Sequence, residues 1–300
     1  MSPVKLALGP VLYAWSRRAL IDFYERVAAA PVDIVYLGEV VCSRRRELRR
    51  EDWLDLAEML ASAGKEVVLS TLALVETGAE LRSLEKLADN ARHLVEANDM
   101  AAVSVLSRRG LPFVAGPHIN AYNAATLALL ARLGARRWVM PLELSRASLA
   151  QILAQQKTGI ETEIFILGRM PLAFSARCFT ARRLGLEKDT CGDACGNDPD
   201  GLLLSTRDGK EFLVLNGIQT QSSAVCNLAA EIPDLRALGV GALRVSPQSS
   251  GCFEVLALVR NALDEALAAG EAATRINALL PGAPCNGFWH GRPGAEQVAA

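Results

Sequence analysis

Residues 50–80, R-E-D-W-L-D-L-A-E-M-L-A-S-A-G-K-E-V-V-L-S-T-L-A-L-V-E-T-G-A-E, contain one full repeat of the pattern that decides the fold. Residues 50–63 have the apolar spacing of an amphipathic helix, and Gly64 follows where a C-terminal cap is expected. Residues 66–72 form a short apolar run typical of a buried strand. Thr77-Gly-Ala-Glu80 has the spacing of a capping box and predicts a second helix, which extends to about residue 96.

The same alternation extends over most of the chain. Strands are predicted at residues 4–12, 34–38, 66–72, 101–105, 112–116, 138–142, 161–167 and 242–245. Helices are predicted at residues 16–29, 50–63, 77–96, 124–133, 145–156, 229–237 and 254–269. Repeated strand–helix units form parallel sheets, and eight strands favour a closed barrel over an open sheet. The predicted fold is therefore α/β, a TIM-like (β/α) barrel.

One region interrupts the alternation, and the chain ends in a tail of a different composition. No clean period extends over residues 171–200, and two short strands at 202–205 and 211–215, joined through Asp208-Gly209, resemble a hairpin. We therefore expect a cysteine-bearing insertion after the seventh strand, at about residues 171–227, and a Gly/Pro-rich tail at about residues 276–300. No linker divides the chain, so residues 1–300 are predicted to form a single barrel domain.

Composition excludes several classes of protein. Of 300 residues, 51% are hydrophobic and 22% are charged, which is typical of a folded globular chain, and the net charge of −1 offers no basic field for nucleic acid. No apolar run approaches the length of a transmembrane helix, and the N-terminus lacks the features of a signal peptide. The seven cysteines, an odd number, favour a reducing compartment, so a cytoplasmic protein is expected.

Three cysteines lie within eighteen residues, at Cys178, Cys191 and Cys195. Thiols this close in a chain with cytosolic features indicate a metal or redox centre rather than a disulfide framework. The spacing C-x₁₂-C-x₃-C matches neither a zinc ribbon nor the bacterial ferredoxin run, so it does not select the metal. Three thiolates also leave a four-coordinate site one ligand short.

The barrel prediction offers a fourth ligand. Cys42 follows the second strand and Cys178 follows the seventh, and loops at the carboxyl ends of barrel strands open on the same rim. A site of Cys42 with the three clustered cysteines is therefore geometrically reasonable. Sets that use one of the isolated cysteines remain open; these are Cys226, Cys252 and Cys285.

Other polar residues also follow predicted barrel strands. The candidates for a substrate site are Glu39, His118, Asn120, Glu143 and Arg169. Such a mouth could hold an anionic donor or a phenolic headgroup, with Arg169 as the natural partner of a carboxylate. The carboxylates could equally form salt bridges to neighbouring arginines. No Ser/His/Asp order, H-E-x-x-H motif or Gly-rich phosphate loop is present, so the sequence shows no machinery for peptide hydrolysis.

Four segments together resemble a known family. They are V-Y-L-G-E-V-V-C-S-R-R-R at 35–46, G-P-H-I-N-A-Y-N at 116–123, L-G-R-M-P-L-A-F-S-A-R-C-F-T-A-R at 167–182 and C-G-D-A-C at 191–195. Over nearly the whole chain the sequence resembles the branch of the collagenase-like peptidase superfamily that works in ubiquinone biosynthesis. The resemblance implies a TIM-barrel-like protein with a [4Fe–4S] cluster held by Cys42, Cys178, Cys191 and Cys195.

The resemblance also implies a role and a partner. Members of this branch take part in the O₂-independent hydroxylation of a ubiquinone precursor under anaerobic conditions, with prephenate suggested as the oxygen donor. The implied partner is UbiU-like, a paralogous cluster protein that would form a heterodimer with this chain. Two alternatives remain: a scaffold subunit that a metal only braces, and a peptidase as the superfamily name suggests.

Overall fold

Parallel strands close on themselves in the computed structural model of the protein, which describes residues 3–90 and 92–299. The strands are β1 Lys5–Leu8, β2 Ile34–Leu37, β3 Glu66–Ser70, β4 Leu94–Ala97, β5 Phe113–Ala115, β6 Ala135–Val139, β7 Glu161–Phe174, β8 Leu202–Ser205, β9 Glu211–Asn216, β10 Gln219–Asn227, β11 Ala242–Val245 and β12 Pro284–Cys285. The α-helices are α1 Arg17–Ala28, α2 Arg50–Ser62, α3 Gly78–Ala88, α4 Met100–Arg108, α5 Ala124–Arg132, α6 Arg146–Gln155, α7 Phe179–Arg183, α8 Ile232–Ala237, α9 Cys252–Leu263 and α10 Ala269–Asn277.

The barrel consists of β1 to β7 in chain order, followed by β11. Each of these strands pairs in parallel with the next, and β11 pairs with both β7 and β1, which closes the sheet. Ala242 occupies the closing register, opposite Lys5 on β1 and Glu163 on β7. Eight parallel strands with helices between them form a TIM-like barrel, which confirms the predicted fold class.

The prediction for the fourth strand was wrong. Residues 101–105 lie inside α4, which begins after Asp99, whose carboxylate accepts a hydrogen bond from the Ala101 amide. The true strand β4 comes earlier, within the stretch assigned to the third helix, because α3 ends at Ala88. A short apolar run does not distinguish a helix from a strand by its period. Glu96 is a buried carboxylate within β4, and its charge made this segment resemble a polar helix rather than a buried strand.

The barrel interior contains charged side chains as well as apolar ones. Arg244 donates to Glu163 at 2.6 Å between Nε and Oε1, and its Nη2 lies 2.8 Å from Glu96 Oε1. Tyr36 donates its hydroxyl to Glu163 at 2.6 Å, and Arg137 lies 3.7 Å from the same carboxylate. Burial raises the pKa of the Tyr36 hydroxyl far above its ordinary value. The fully buried charges are thus paired, as a low-dielectric interior requires.

The strands of the insertion pair with the barrel sheet and do not form a separate sheet. Strand β7 runs seven residues past its pairing with β11 at Leu167, to Phe174, and β10 pairs antiparallel with it from Gln219 to Asn227. Strands β9 and β8 follow in antiparallel order, and the predicted hairpin is confirmed. Gly209 in its turn has φ +82°, a conformation that favours glycine. The insertion is therefore an antiparallel extension of the barrel sheet.

Several contacts fasten the cysteine-bearing part of the insertion to the barrel, among them two at residues 199 and 200. Trp15 donates its indole N–H to the Pro199 carbonyl at 2.7 Å, and Asp200 accepts hydrogen bonds from both the amide and the hydroxyl of Ser249. These partners follow β1 and β11, so the insertion is held against the rim where the strands end. Within residues 3–90 and 92–299, no helix is both long and apolar enough to cross a membrane.

Candidate metal centre at the barrel rim

Cys42 lies in a loop that folds around one carboxylate. The loop follows β2, and Glu39 Oε1 accepts hydrogen bonds from the amides of Val41 and Cys42 at 2.8 and 2.9 Å. The thiol is buried, and burial raises its pKa to about 11, although a hydrogen bond from the Arg44 amide opposes the shift. A metal that binds here must displace the thiol proton, so its affinity rises with pH.

Cys178, at the start of the insertion, lies near Cys42. It caps the N-terminus of α7, and its Sγ accepts a hydrogen bond from the Ala181 amide at 3.4 Å. Cys178 packs against the same apolar cluster that contains Cys42 and Ile218. The loops after the second and seventh strands therefore share one rim, as the barrel predicts.

Cys195 lies beside a buried cation. Arg45 and Cys195 both flank Gly217, where an added Cβ would lie 3.1 Å from Arg45 Nη2 and 3.8 Å from Cys195 Sγ. Burial raises the pKa of Cys195, and the Arg45 charge limits that rise. Burial also disfavours the charge of Arg45, but its attraction to Glu39 and Cys195 is greater, so its pKa is raised. The guanidinium therefore stays charged next to these thiols.

Arg45 is fixed by residues far away in the chain. Its Nη1 donates to the Leu12 carbonyl and its Nη2 to Asn216 Oδ1, each at 2.7 Å, and Glu39 lies 3.5 Å away. Asn216 in turn donates to Leu12 and to Gln219 Oε1. This network ties the Cys42 loop to β9, β10 and the segment after β1.

Cys191 is half-buried in a sharply turning segment. Gly192 and Asp193 both have positive φ, +59° and +53°, and the Ala194 amide donates to the Cys191 carbonyl at 3.3 Å. The chain therefore turns sharply between Cys191 and Cys195. In the part of the chain that the structure describes, no three His, Cys, Asp or Glu side chains are grouped closely enough to hold a metal ion.

The surroundings of these thiols nevertheless fit a [4Fe–4S] cluster, which four thiolates hold. The Ala181 amide already donates to the sulfur of Cys178, and a buried guanidinium is next to Cys195. Two buried donors of the network, Arg45 Nε and Gln219 Nε2, have no hydrogen-bond partner among the described residues. Hydrogen bonds and positive charge stabilise a centre made of thiolates and sulfides, so the residues present fit the group.

The other predicted site residues do not form one group. Glu39 holds the Cys42 loop, and Arg169 donates to the carbonyls of Ser222, Ser223 and Pro281, which ties β7 to the insertion and the tail. Glu143 is exposed and accepts a hydrogen bond from Tyr122, and Asn120 is exposed with φ +58°.

His118 alone of that set lines the mouth of the barrel, with Arg244 and Glu96 beneath it. The cavity there has a volume of about 30 Å³. The ring of His118 packs edge-on against Phe174, with centroids 4.7 Å apart. Burial lowers the pKa of His118 to about 4, so the imidazole is neutral near pH 7. The mouth is therefore nearly filled by side chains of the protein itself.

The sequence reasoning missed the residues that organise the centre. Arg45 belongs to a run of three arginines that resembles a solvated face, yet Arg45 is buried while Arg46 is exposed. Asn216 and Gln219 pair across the two-residue turn at residues 217–218. One signal was available: Asn216-Gly217 is a dipeptide typical of tight hairpin turns and could have placed Asn216 beside such a turn.

The fold and the site define a closed parallel barrel whose insertion carries cysteines to the rim. Residues 21–299 match the family model described as "Peptidase family U32". The chain belongs to this peptidase family.

The individual proteins that the chain resembles have low sequence identity to it. The chain is 26% identical over 171 residues to an "Uncharacterized protease" of Methanocaldococcus jannaschii, a match that covers 54% of this chain and 42% of that protein. It therefore spans less than half the length of that relative. The solved structure of the U32 peptidase Mk0906 is similar with a TM-score of 0.47 at 13% identity, covering 83% of this chain and 94% of the other. A phospho-2-dehydro-3-deoxyheptonate aldolase from Thermotoga maritima gives 0.45 at 11% identity, covering 92% and 71%.

Proposed function

We propose that this chain is a UbiV-like iron–sulfur protein that works in anaerobic ubiquinone biosynthesis. Cys42, Cys178, Cys191 and Cys195 would hold a [4Fe–4S] cluster, which supplies one-electron transfer when bound. The chain would act with a UbiU-like partner in hydroxylating a ubiquinone precursor without O₂, with prephenate as the suggested oxygen donor.

One observation carries the proposal. Thiols from two distant loops, at Cys42 and Cys178, share one apolar cluster, and the buried cation Arg45 flanks the same glycine, Gly217, as a third thiol, that of Cys195. The cation offsets the negative charge that bound thiolates bring, while the Ala181 amide donates a hydrogen bond to the sulfur of Cys178. The role of the chain's own residues is therefore to position the sulfurs and to hold a fixed positive charge beside them.

A peptidase is the second candidate, because the family name and the curated relative both suggest proteolysis. The geometry favours it less. Burial raises the pKa of the thiols of Cys42 and Cys195, which is the opposite of what an activated cysteine nucleophile requires. The three histidines contact other groups: His93 lies near Glu58, His118 near Phe174 and His290 near Glu231.

Metal analysis tests the proposal directly. Protein purified without oxygen should contain about four irons and four sulfides per chain, as a [4Fe–4S] centre requires. Replacing Cys42 by Ala should lower the iron content as severely as replacing Cys191 by Ala, while Cys285→Ala should leave it unchanged. Stoichiometric zinc in a colourless protein would exclude the cluster, and full iron in Cys42→Ala would exclude this ligand set.

A cell-based experiment tests the role. Co-expression with a UbiU-like partner should restore ubiquinone formation without oxygen in a strain that lacks both proteins, and Cys191→Ala should abolish it. Ubiquinone formation that persists in Cys191→Ala would support a scaffold role. Cleavage of gelatin that survives replacement of all four cysteines would support the peptidase instead.

A further inference from the structure

Three cysteines lie outside the candidate cluster centre, and two of them are neighbours. Cys226 on β10 and Cys285 on β12 are direct partners in the parallel pairing of these strands. Paired strands lie about 4.8 Å apart and direct partners point to the same face of the sheet, so the two thiols stand side by side. Both side chains are buried, and both cysteines are free. The third cysteine, Cys252, lies elsewhere, at the start of α9.

Two methionines share a cavity with this pair of thiols. Met140, which follows β6, and Met170, on β7, line the same cavity as Cys226 and Cys285. Its volume is about 20 Å³, the space of roughly one water molecule or one metal ion. We call it the sulfur cavity. Four segments of the chain thus each contribute one sulfur-bearing side chain to its wall.

The rest of the wall offers no competing ligand. Leucine, phenylalanine and tryptophan side chains form most of it. Asn286 is the polar exception, and its side chain is engaged within the tail: Oδ1 accepts from the Val298 amide at 2.7 Å and Nδ2 donates to the Val298 carbonyl at 3.0 Å. Among the described residues, no histidine or carboxylate lines the cavity. Sulfur atoms are therefore the ligands that an ion would meet there.

This set of donors selects an ion by its softness. Thiolates and thioethers are soft ligands that favour Cu(I), whereas Mg²⁺ and Ca²⁺ require oxygen ligands. Zinc sites combine thiolate with imidazole or carboxylate rather than with thioether. An iron–sulfur cluster would need more than two cysteines and far more space. Two thiols and two thioethers around a space for one ion therefore match Cu(I).

We propose that Cys226, Cys285, Met140 and Met170 bind a single Cu(I) ion in the sulfur cavity. The ion enters as Cu(I) and remains Cu(I), so no electron is transferred. Two S–H bonds are replaced by two Cu–S bonds, and the two protons leave to the solvent. Because β12 belongs to the C-terminal tail, the bound ion would also fasten the tail to β10.

The sulfur cavity is separate from the candidate cluster centre. Cys226 and Cys285 belong to the main hydrophobic core, whereas Cys42 and Cys178 belong to a different apolar cluster. Copper binding therefore does not require an iron–sulfur cluster in the chain.

Competition with bathocuproine disulfonate, a coloured chelator of Cu(I), tests the proposal on the anaerobically purified protein. The protein should withhold one Cu(I) per chain from the chelator, with its iron content unchanged. Protein that withholds no Cu(I), or that releases iron in proportion to the copper it takes up, would overturn the proposal.

Cysteine variants locate the site. Cys226→Ala and Cys285→Ala should each weaken Cu(I) binding at least about tenfold, because each removes one thiolate ligand. Cys252→Ala, at a buried cysteine outside the cavity, should bind like the unmodified protein. Unfolding midpoints verify that the variants fold. Undiminished binding in either of the first two variants, or an equal loss in Cys252→Ala, would contradict the location.

The thioethers are tested by a change that preserves volume. Met170→Leu removes the sulfur from a core side chain of similar size and should therefore fold. It should weaken Cu(I) binding at least about threefold, while Met59→Leu on α2, outside the cavity, should not. Zn(II) that occupies the site as tightly as Cu(I), and equally well in Met170→Leu, would overturn the choice of metal.

Discussion

Arg45 illustrates how one side chain can connect the cysteine loop to the rest of the molecule. Its guanidinium is 3% exposed and contacts Glu39, Leu12 and Asn216, which lie on three different segments. Two of these contacts are hydrogen bonds, from Nη1 to the Leu12 carbonyl and from Nη2 to Asn216, so the arginine is held by hydrogen bonds as well as by its charge. The position of the Cys42 loop therefore depends on a residue outside the proposed set of cluster ligands.

Replacing Arg45 by Met should destabilise the protein strongly. The change keeps the length of the side chain but leaves the Glu39 carboxylate without its cation and the buried Asn216 Oδ1 without its donor, which costs about 3–5 kcal/mol of the free energy of unfolding. Denaturant unfolding of the metal-free protein measures the loss. Arg46→Met, at the exposed neighbour, should change it by less than about 0.5 kcal/mol. Equal losses would show that burial of Arg45 does not matter.

His118 predicts a pH dependence of stability. Burial lowers its pKa to about 4 in the folded protein, against about 6.5 for an unfolded chain. Between these values the unfolded chain binds more protons, so the free energy of unfolding falls as pH falls from 6.5 to 4 and does not fall further below 4 on account of this group. The expected loss is on the order of 2 kcal/mol.

Unfolding midpoints at pH 7.5, 5.5 and 4.5 measure this dependence. His118→Gln should lose less stability over the range than the unmodified protein, because the group that titrates is gone. His290→Gln provides the control at a partly exposed histidine near Glu231. Parallel pH profiles for the unmodified protein and His118→Gln would rule out this origin of acid sensitivity.

At the scale of elements, the start of α3 anchors the Cys42 loop. Thr77 Oγ accepts from the Glu80 amide at 3.2 Å, and Glu80 accepts from the amides of Glu76 and Thr77 and from the hydroxyl of Ser43. The capping box that the sequence predicts is confirmed, but Glu80 also reaches a residue 37 positions earlier. The helix cap is thus also a long-range contact.

Two substitutions separate these roles of the cap. Thr77→Ala removes only the cap and should cost about 1 kcal/mol of the free energy of unfolding without changing iron content. Glu80→Ala also releases Ser43 and should cost about 2–3 kcal/mol, with faster loss of iron in air because the Cys42 loop is no longer held. Denaturant unfolding and iron release rates measure both effects. Identical iron release in the two variants would contradict the anchoring role.

At the scale of the whole molecule, paired charges inside the barrel link opposite strands. Arg244 on β11 reaches Glu163 on β7 and Glu96 on β4, and its guanidinium lies 3.9 Å from the centre of the Tyr36 ring. Attraction to these carboxylates outweighs the cost of burial, so the pKa of Arg244 is raised and it stays charged. The network therefore contributes to closure of the barrel.

Arg244→Met should lower the free energy of unfolding by about 3–5 kcal/mol, because two buried carboxylates lose their cation. Thermal unfolding followed by far-UV circular dichroism measures the shift. Arg146→Met breaks a surface pair with Asp234 and should cost less than about 1 kcal/mol. If Arg244→Met does not fold, Arg244→Lys, which keeps the charge, should fold with an intermediate loss. A stability equal to that of Arg146→Met would show that the interior pairs contribute little.

The sequence by itself determined the barrel, because strand and helix periods are local properties that a few residues display. It also located the clustered cysteines of residues 178–195, whose proximity is a matter of spacing along the chain. At residues 94–108 the sequence predicted the end of a helix followed by a strand, whereas the structure has a strand followed by a helix. The error arose because the buried Glu96 interrupts the apolar pattern that marks a strand.

Only the tertiary structure decided which polar residues are buried and what they contact. Arg45 and Asn216 lie 171 positions apart, and no periodic pattern connects them. The mouth of the barrel is nearly filled because of how side chains from many elements pack, and packing is a property of the closed barrel as a whole. Local periods therefore specify the elements, and long-range contacts specify the site.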